Sequence, residues 1–149
     1  MKLNAHPVAL LSCDRCVNRF NCCYSSALIE YLNDNETVVE YISAHADERA
    51  ITVPLVAFEV YQGEIHRTGT TDLDGVDTAL QWLEVVETAG NNARRAATIL
   101  DELHDAGAPL APRDTFIAGA AAANDETLVA TDGDFDTEPL RQQIDLVVL

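Results

Sequence analysis

A chain of 149 residues with 48% hydrophobic composition can bury one proper core, which fits a single globular domain and excludes a wholly disordered chain. It carries 25 acidic against nine basic residues, a single lysine among the latter, for a net charge of −16. Such a charge repels nucleic acid at ordinary ionic strength, and no apolar run approaches the ~20 residues of a membrane span.

In chain order, residues 1–20 read as a loosely organised extension, and 21–149 as the folded domain. Val8 to Leu11 is too short for the apolar core of a secretion signal, so a cytoplasmic chain with reduced thiols is expected. Ser26–Leu32 suits a short helix, and in ETVVEYISAHA the residues Val38, Val39, Ile42 and Ala46 share one helical face. Ala50–Val53 is a β-branched strand, and Pro54 suits the first turn of a following helix that Gly63 would end. Residues 64–71 form a polar connection. Asp72–Trp82 predicts a helix with Leu73, Val76 and Leu80 inward, and LEVVE a strand. Asn92–Ala106, with Ala93, Ala96, Ile99, Leu100 and Leu103 inward, is strongly helical and is stopped by Gly107. Asp114 then opens an Ala-rich helix, Leu128–Ala130 is a strand, TDGDFD a turn, and Asp145–Leu149 a final strand. Short apolar strands alternating with helices indicate an α/β fold with a mostly parallel sheet.

Sites in such sheets form beyond the carboxyl ends of the strands, and acids stand there. Glu59 lies one turn into the helix after the 50–53 strand, among apolar neighbours, where an unpaired carboxylate would be costly. Asp114 follows Arg113 at a helix start, where an N-cap role would also explain it. Asp132 and Asp134 follow the 128–130 strand, in a stretch that an Asp-Gly turn would equally explain. Converging carboxylates can hold Mg²⁺ or Mn²⁺, hard ions that take oxygen ligands and support phosphodiester hydrolysis. Arg113 and Arg67 are cations that could reach a phosphate at such a pocket.

The ordered set YSSALIEYL, VPLVAFEVYQG, APRDTFIAGAAA and LVATDGDF resembles the PIN-domain nucleases, and among them the VapC-type toxins of toxin–antitoxin pairs. The resemblance covers about residues 21–149. It implies a three-layer α/β/α sandwich, an acidic Mg²⁺ or Mn²⁺ pocket, cleavage of RNA, a homodimer and a cognate antitoxin. By position, Glu59, Asp114, Asp132 and Asp134 match the family's acids, with Glu59, Asp114 and Asp132 as metal ligands. Ser25 matches the hydroxyl residue after its first aspartate and, with Arg113, would touch substrate. That first aspartate is Tyr24 here. A phenol titrating near 10 is a poor ligand for a hard ion, and its ring could fill the ion's space. A catalytically degenerate domain that binds RNA or antitoxin is therefore the alternative.

Four cysteines stand apart from this pattern. Cys13 and Cys16 form one Cys-x₂-Cys half of a zinc site, which Cys22 could extend, so a zinc-binding protein is a third reading. The acidity itself points to habitat. In a halophile's cytoplasm, at about 1 M salt, the Debye length shrinks to ~3 Å and RNA remains an accessible substrate.

Overall fold

The computed structural model describes residues 22–149, with side chains from Tyr24 onward. The expected 1–20 extension, Cys13, Cys16 and the side chain of Cys22 lie outside the described residues. Among the described residues, no three His, Cys, Asp or Glu side chains stand close enough to hold a metal as they are.

Five strands, β1 (Cys22–Tyr24), β2 (Ala50–Thr52), β3 (Glu84–Val85), β4 (Thr127–Ala130) and β5 (Leu146–Val148), form one sheet in the order β3-β2-β1-β4-β5. Every neighbouring pair is parallel, with Cys22 opposite Ala50 on one side and Thr127 on the other. Among the described residues, the path starts at the middle strand, winds outward to β3, and returns to add β4 and β5. Because parallel crossovers are right-handed, the two directions send their helices to opposite faces. One face carries α1 (Ala27–Leu32), α2 (Glu36–Ala44), α3 (Pro54–His66) and α4 (Leu73–Ala79), and the other α5 (Gly90–Asp105), α6 (Pro112–Ala123) and α7 (Glu138–Arg141). This is the expected three-layer α/β/α sandwich. The strand order reverses between β1 and β4, the point at which ligands of open α/β sheets bind.

The inner strands β2 and β4 are short but largely buried, so they read as apolar runs, while the edge strand β3 is exposed. Ile51, Leu128, Val129 and Ala130 are fully buried, and meet Leu28 and Ile42 from one layer and Ile117 from the other. Each such aliphatic side chain contributes about 1.5–3 kcal/mol of transfer free energy. No helix among the described residues is long and apolar enough to cross a membrane.

Several elements differ from their sequence expectation. The helix α3 runs through Gly63 to His66, because Glu64 anchors its last turn. The Glu64 carboxylate accepts from Arg67 and from the Asp72 backbone N–H at 2.8–2.9 Å. Packing there outweighs the weak helix propensity of one glycine. Leu73, expected inward, opens α4 at the surface, while Val76 is buried. Leu100 and Ala93 are likewise exposed on α5, whose inward line is Asn92, Ala96, Ile99 and Leu103. The short helix α7 was not expected at all. Thr137 caps it and Pro139 lies in its first turn.

Candidate active site

Three carboxylate-bearing segments end on the same side of the sheet. Pro54 starts α3 directly after β2, and Glu59 lies in its second turn, with 19% of its side chain exposed. Asp132 and Asp134 follow β4 and are exposed. Asp132 accepts from the Asp134 backbone N–H at 2.9 Å and so caps a single 3₁₀ turn, Gly133–Phe135, which Phe135 pins to the core. Asp114 comes from the opposite layer, on α6, and is 6% exposed.

Asp114 is not the N-cap that the sequence allowed. The helix starts at Pro112, with Ala111 as its cap, because proline suits the first helical position. Asp114 is thus the third residue of the helix, and its carboxylate is turned inward near the positive end of the helix dipole. Burial raises its pKa. The adjacent Arg113 opposes that rise, and Asp132, Asp134 and Glu59 add to it as like charges. All four expected acids therefore share one electrostatic neighbourhood.

Arg113 lies among them. Its Nε and Nη2 donate to the two oxygens of Glu59, and Nη1 donates to Asp114 Oδ1 at 2.5 Å. The Glu59 carboxylate, with Asp114 and Asp132 behind it, holds the guanidinium firmly protonated. Glu59 on one helical layer and Asp114 on the other are thereby tied across the strand ends. Four carboxylates against one guanidinium leave an oxygen-only, net-negative donor set, whose chemistry fits a hard divalent ion. The residues that would hold such an ion are Asp114, Asp132, Glu59 and Asp134.

Other expected contributors lie elsewhere. Ser25 is 1% exposed, and its hydroxyl donates to the Val129 carbonyl at 3.2 Å, so it braces β1 against β4. The neighbouring hydroxyl, Ser26 Oγ, accepts from the Thr131 N–H at 3.1 Å, one residue before Asp132. Sequence reading passed over Ser26, although a Ser-Ser pair at a strand end offers two hydroxyls to the neighbouring strand, and both bond at the end of β4. Arg67 forks onto Glu64 at the far end of α3. The Tyr24 ring does not fill the space between the acids. It is 2% exposed, packs edge-on to Trp82 at 5.6 Å, and lines a recess with Ile42, His45, Arg49 and Glu84.

Fold and site together define a class: a doubly wound parallel α/β domain with several carboxylates set beyond the ends of its strands. The chain belongs to the PIN-domain family, whose model matches residues 25–137. Among solved structures, it is similar to a chain of the VapBC2 complex from Rickettsia felis bound to a promoter DNA fragment. That match has a TM-score of 0.71 and 17% identity, over 86% of this chain and 98% of that one. A chain of the DNA-bound VapBC from Salmonella typhimurium matches at 0.71 and 20% identity, over 87% and 98%. A chain of FitAcB from Neisseria gonorrhoeae matches at 0.67 and 15%, over 84% and 95%. No curated protein sequence matches the chain.

Proposed function

We propose that this chain is a VapC-type endoribonuclease, the toxin of a toxin–antitoxin pair, that uses Mg²⁺ or Mn²⁺ to hydrolyse RNA phosphodiesters. The observation that supports it most is the gathering of Glu59, Asp114, Asp132 and Asp134 about one end of the sheet, with Asp114 buried among like charges. A bound ion would lower the pKa of an attacking water and neutralise charge on the phosphorane. Asp114 and Asp132 supply oxygens from fixed positions, one held by α6 and the other by its own 3₁₀ cap. Ser26 keeps β1 and the β4 turn in register. Arg113 supplies the positive charge a phosphate requires.

The partner reading rests on a second surface. A cleft of about 270 Å³ is lined by Ile29, Leu32, Val60, Gly63 and Val76, with Glu64 and Arg67 at its border. Ile65 is exposed on the same helix, α3. An apolar groove rimmed by charge suits an amphipathic segment, and we assign it to a cognate antitoxin. The VapBC and FitAcB structures are themselves complexes. A homodimer, a cytoplasmic setting in a halophile and an accessory role for residues 1–20 belong to the same proposal.

Tyr24 favours the second reading, a domain that binds RNA or antitoxin without cutting, because β1 brings no carboxylate to the pocket. Cleavage of RNA in molar KCl with Mn²⁺ separates the two. A cutting enzyme loses activity at least about 100-fold in Asp114→Asn while retaining its circular dichroism. Absence of cleavage by the native chain would leave the binding module. Tyr24→Asp is a poor revertant for this purpose, because losing a buried ring costs about 3–5 kcal/mol.

A further inference from the structure

The contacts of Arg113 have a consequence for how the pocket is filled. Both oxygens of Glu59 are engaged by its fork, and Asp114 Oδ1 by its third nitrogen. A divalent ion ligated by these carboxylates requires the same oxygens. It would also bring two positive charges against a guanidinium already there. The Arg113 side chain is 47% exposed, so it can leave its partners without disturbing the core. The backbone of α6 does not oppose such a swing, because Arg113 is its second residue and its hydrogen-bonding role there is slight.

We propose that Arg113 is the resident counter-cation of the acidic pocket, so that binding of a divalent ion and release of Arg113 are one coupled step. The inference rests on the reading that these acids are the ion site. Without an ion, Arg113 neutralises part of the carboxylate charge and holds the α3 and α6 layers together. When the ion enters, the guanidinium is freed at the rim, where its planar fork suits a phosphate oxygen pair. The same side chain thus excludes weakly attracted cations and becomes the anion contact only in the loaded site. In molar KCl this matters, because a bare cluster of carboxylates would be exposed to a large excess of K⁺, whereas a bidentate guanidinium is matched to carboxylate geometry.

The test is Mn²⁺ affinity, read by electron paramagnetic resonance of the free ion in 1 M KCl, with no RNA and no activity measurement. Native chain is compared with Arg113→Gln, Arg113→Lys, Arg94→Gln and Asp114→Asn, each first checked for native circular dichroism. Arg113→Gln should bind Mn²⁺ about tenfold more tightly, within the usual range for coupled ligands. Arg113→Lys, which keeps the charge but not the fork, should fall between the two. Arg94→Gln, a distant exposed charge, should stay within about twofold of native. Equal or weaker binding in Arg113→Gln overturns the proposal, as does equal tightening in Arg94→Gln, which would mean a general charge effect. Mn²⁺ binding undiminished in Asp114→Asn would instead overturn the ion-site reading itself.

Discussion

Asp114 is a buried carboxylate set near three others and beside one guanidinium. Its raised pKa, caused first by burial, means that the folded chain holds this proton more tightly than the unfolded chain does. The ionised form is therefore a burden on the fold. For this group alone, stability is greatest below the ordinary Asp value of 3.8, falls as pH rises through the raised value, and is level above it. Asp114→Asn removes that dependence. The variant should melt at a higher temperature than native at pH 7, with the gain vanishing near pH 3, as followed by thermal denaturation without divalent ions. A lower melting temperature at pH 7 would mean that the Arg113 contact outweighs the burial. At this scale the sequence was only partly legible. That the four acids lie near one another beyond the strands was readable, because the order of strands and helices sets where strand ends fall. The direction of a side chain was not. Ser25 donates to the Val129 carbonyl whereas Ser26 accepts from the Thr131 N–H, and Tyr24 turns its ring to Trp82, a residue 58 positions away that no local pattern connects to it.

At the scale of elements, α5 and α6 pack closely, and a glycine allows it. A Cβ on Gly119 would lie 2.5 Å from the Cα and the Cβ of Ala96, so the helix backbones themselves would have to separate. Gly119→Ala gains about 1 kcal/mol of helix propensity but meets an overpacking cost of about 1–3 kcal/mol. Expect a net loss of up to about 2 kcal/mol in urea denaturation, and a larger one for Gly119→Val. A stabilised Gly119→Ala would show that the two helices can part at no cost. The Ala-rich run of α6 and Ala96 on α5 were both visible as helical small-residue faces. That they meet each other was not, since neither pattern names its partner. Boundaries failed for a related reason. The end of α3 is set by Glu64 bonding to Arg67 and Asp72, and the start of α6 by Pro112 rather than Asp114.

For the molecule as a whole, net charge dominates the response to solvent. Twenty-five carboxylates against nine cations repel one another in dilute buffer, whereas about 1 M salt cuts the screening length to ~3 Å. The melting temperature should therefore rise steeply between 0.1 and ~1 M KCl. A flat response would remove the case for a halophilic habitat. The fold class was legible at this scale, because alternating apolar strands and helices leave few arrangements other than a wound parallel sheet. The strand order has a consequence in time. Of the described strands, the central β1 is synthesised first, yet Ser25 completes its bonds only with Val129, 104 positions later. At 5–20 residues per second, a nascent chain waits about 5–20 s for the strand that closes its middle. Asp132 lies just beyond that strand and is made only after the same wait. A growing chain therefore brings its four acids together only after β4 has been made.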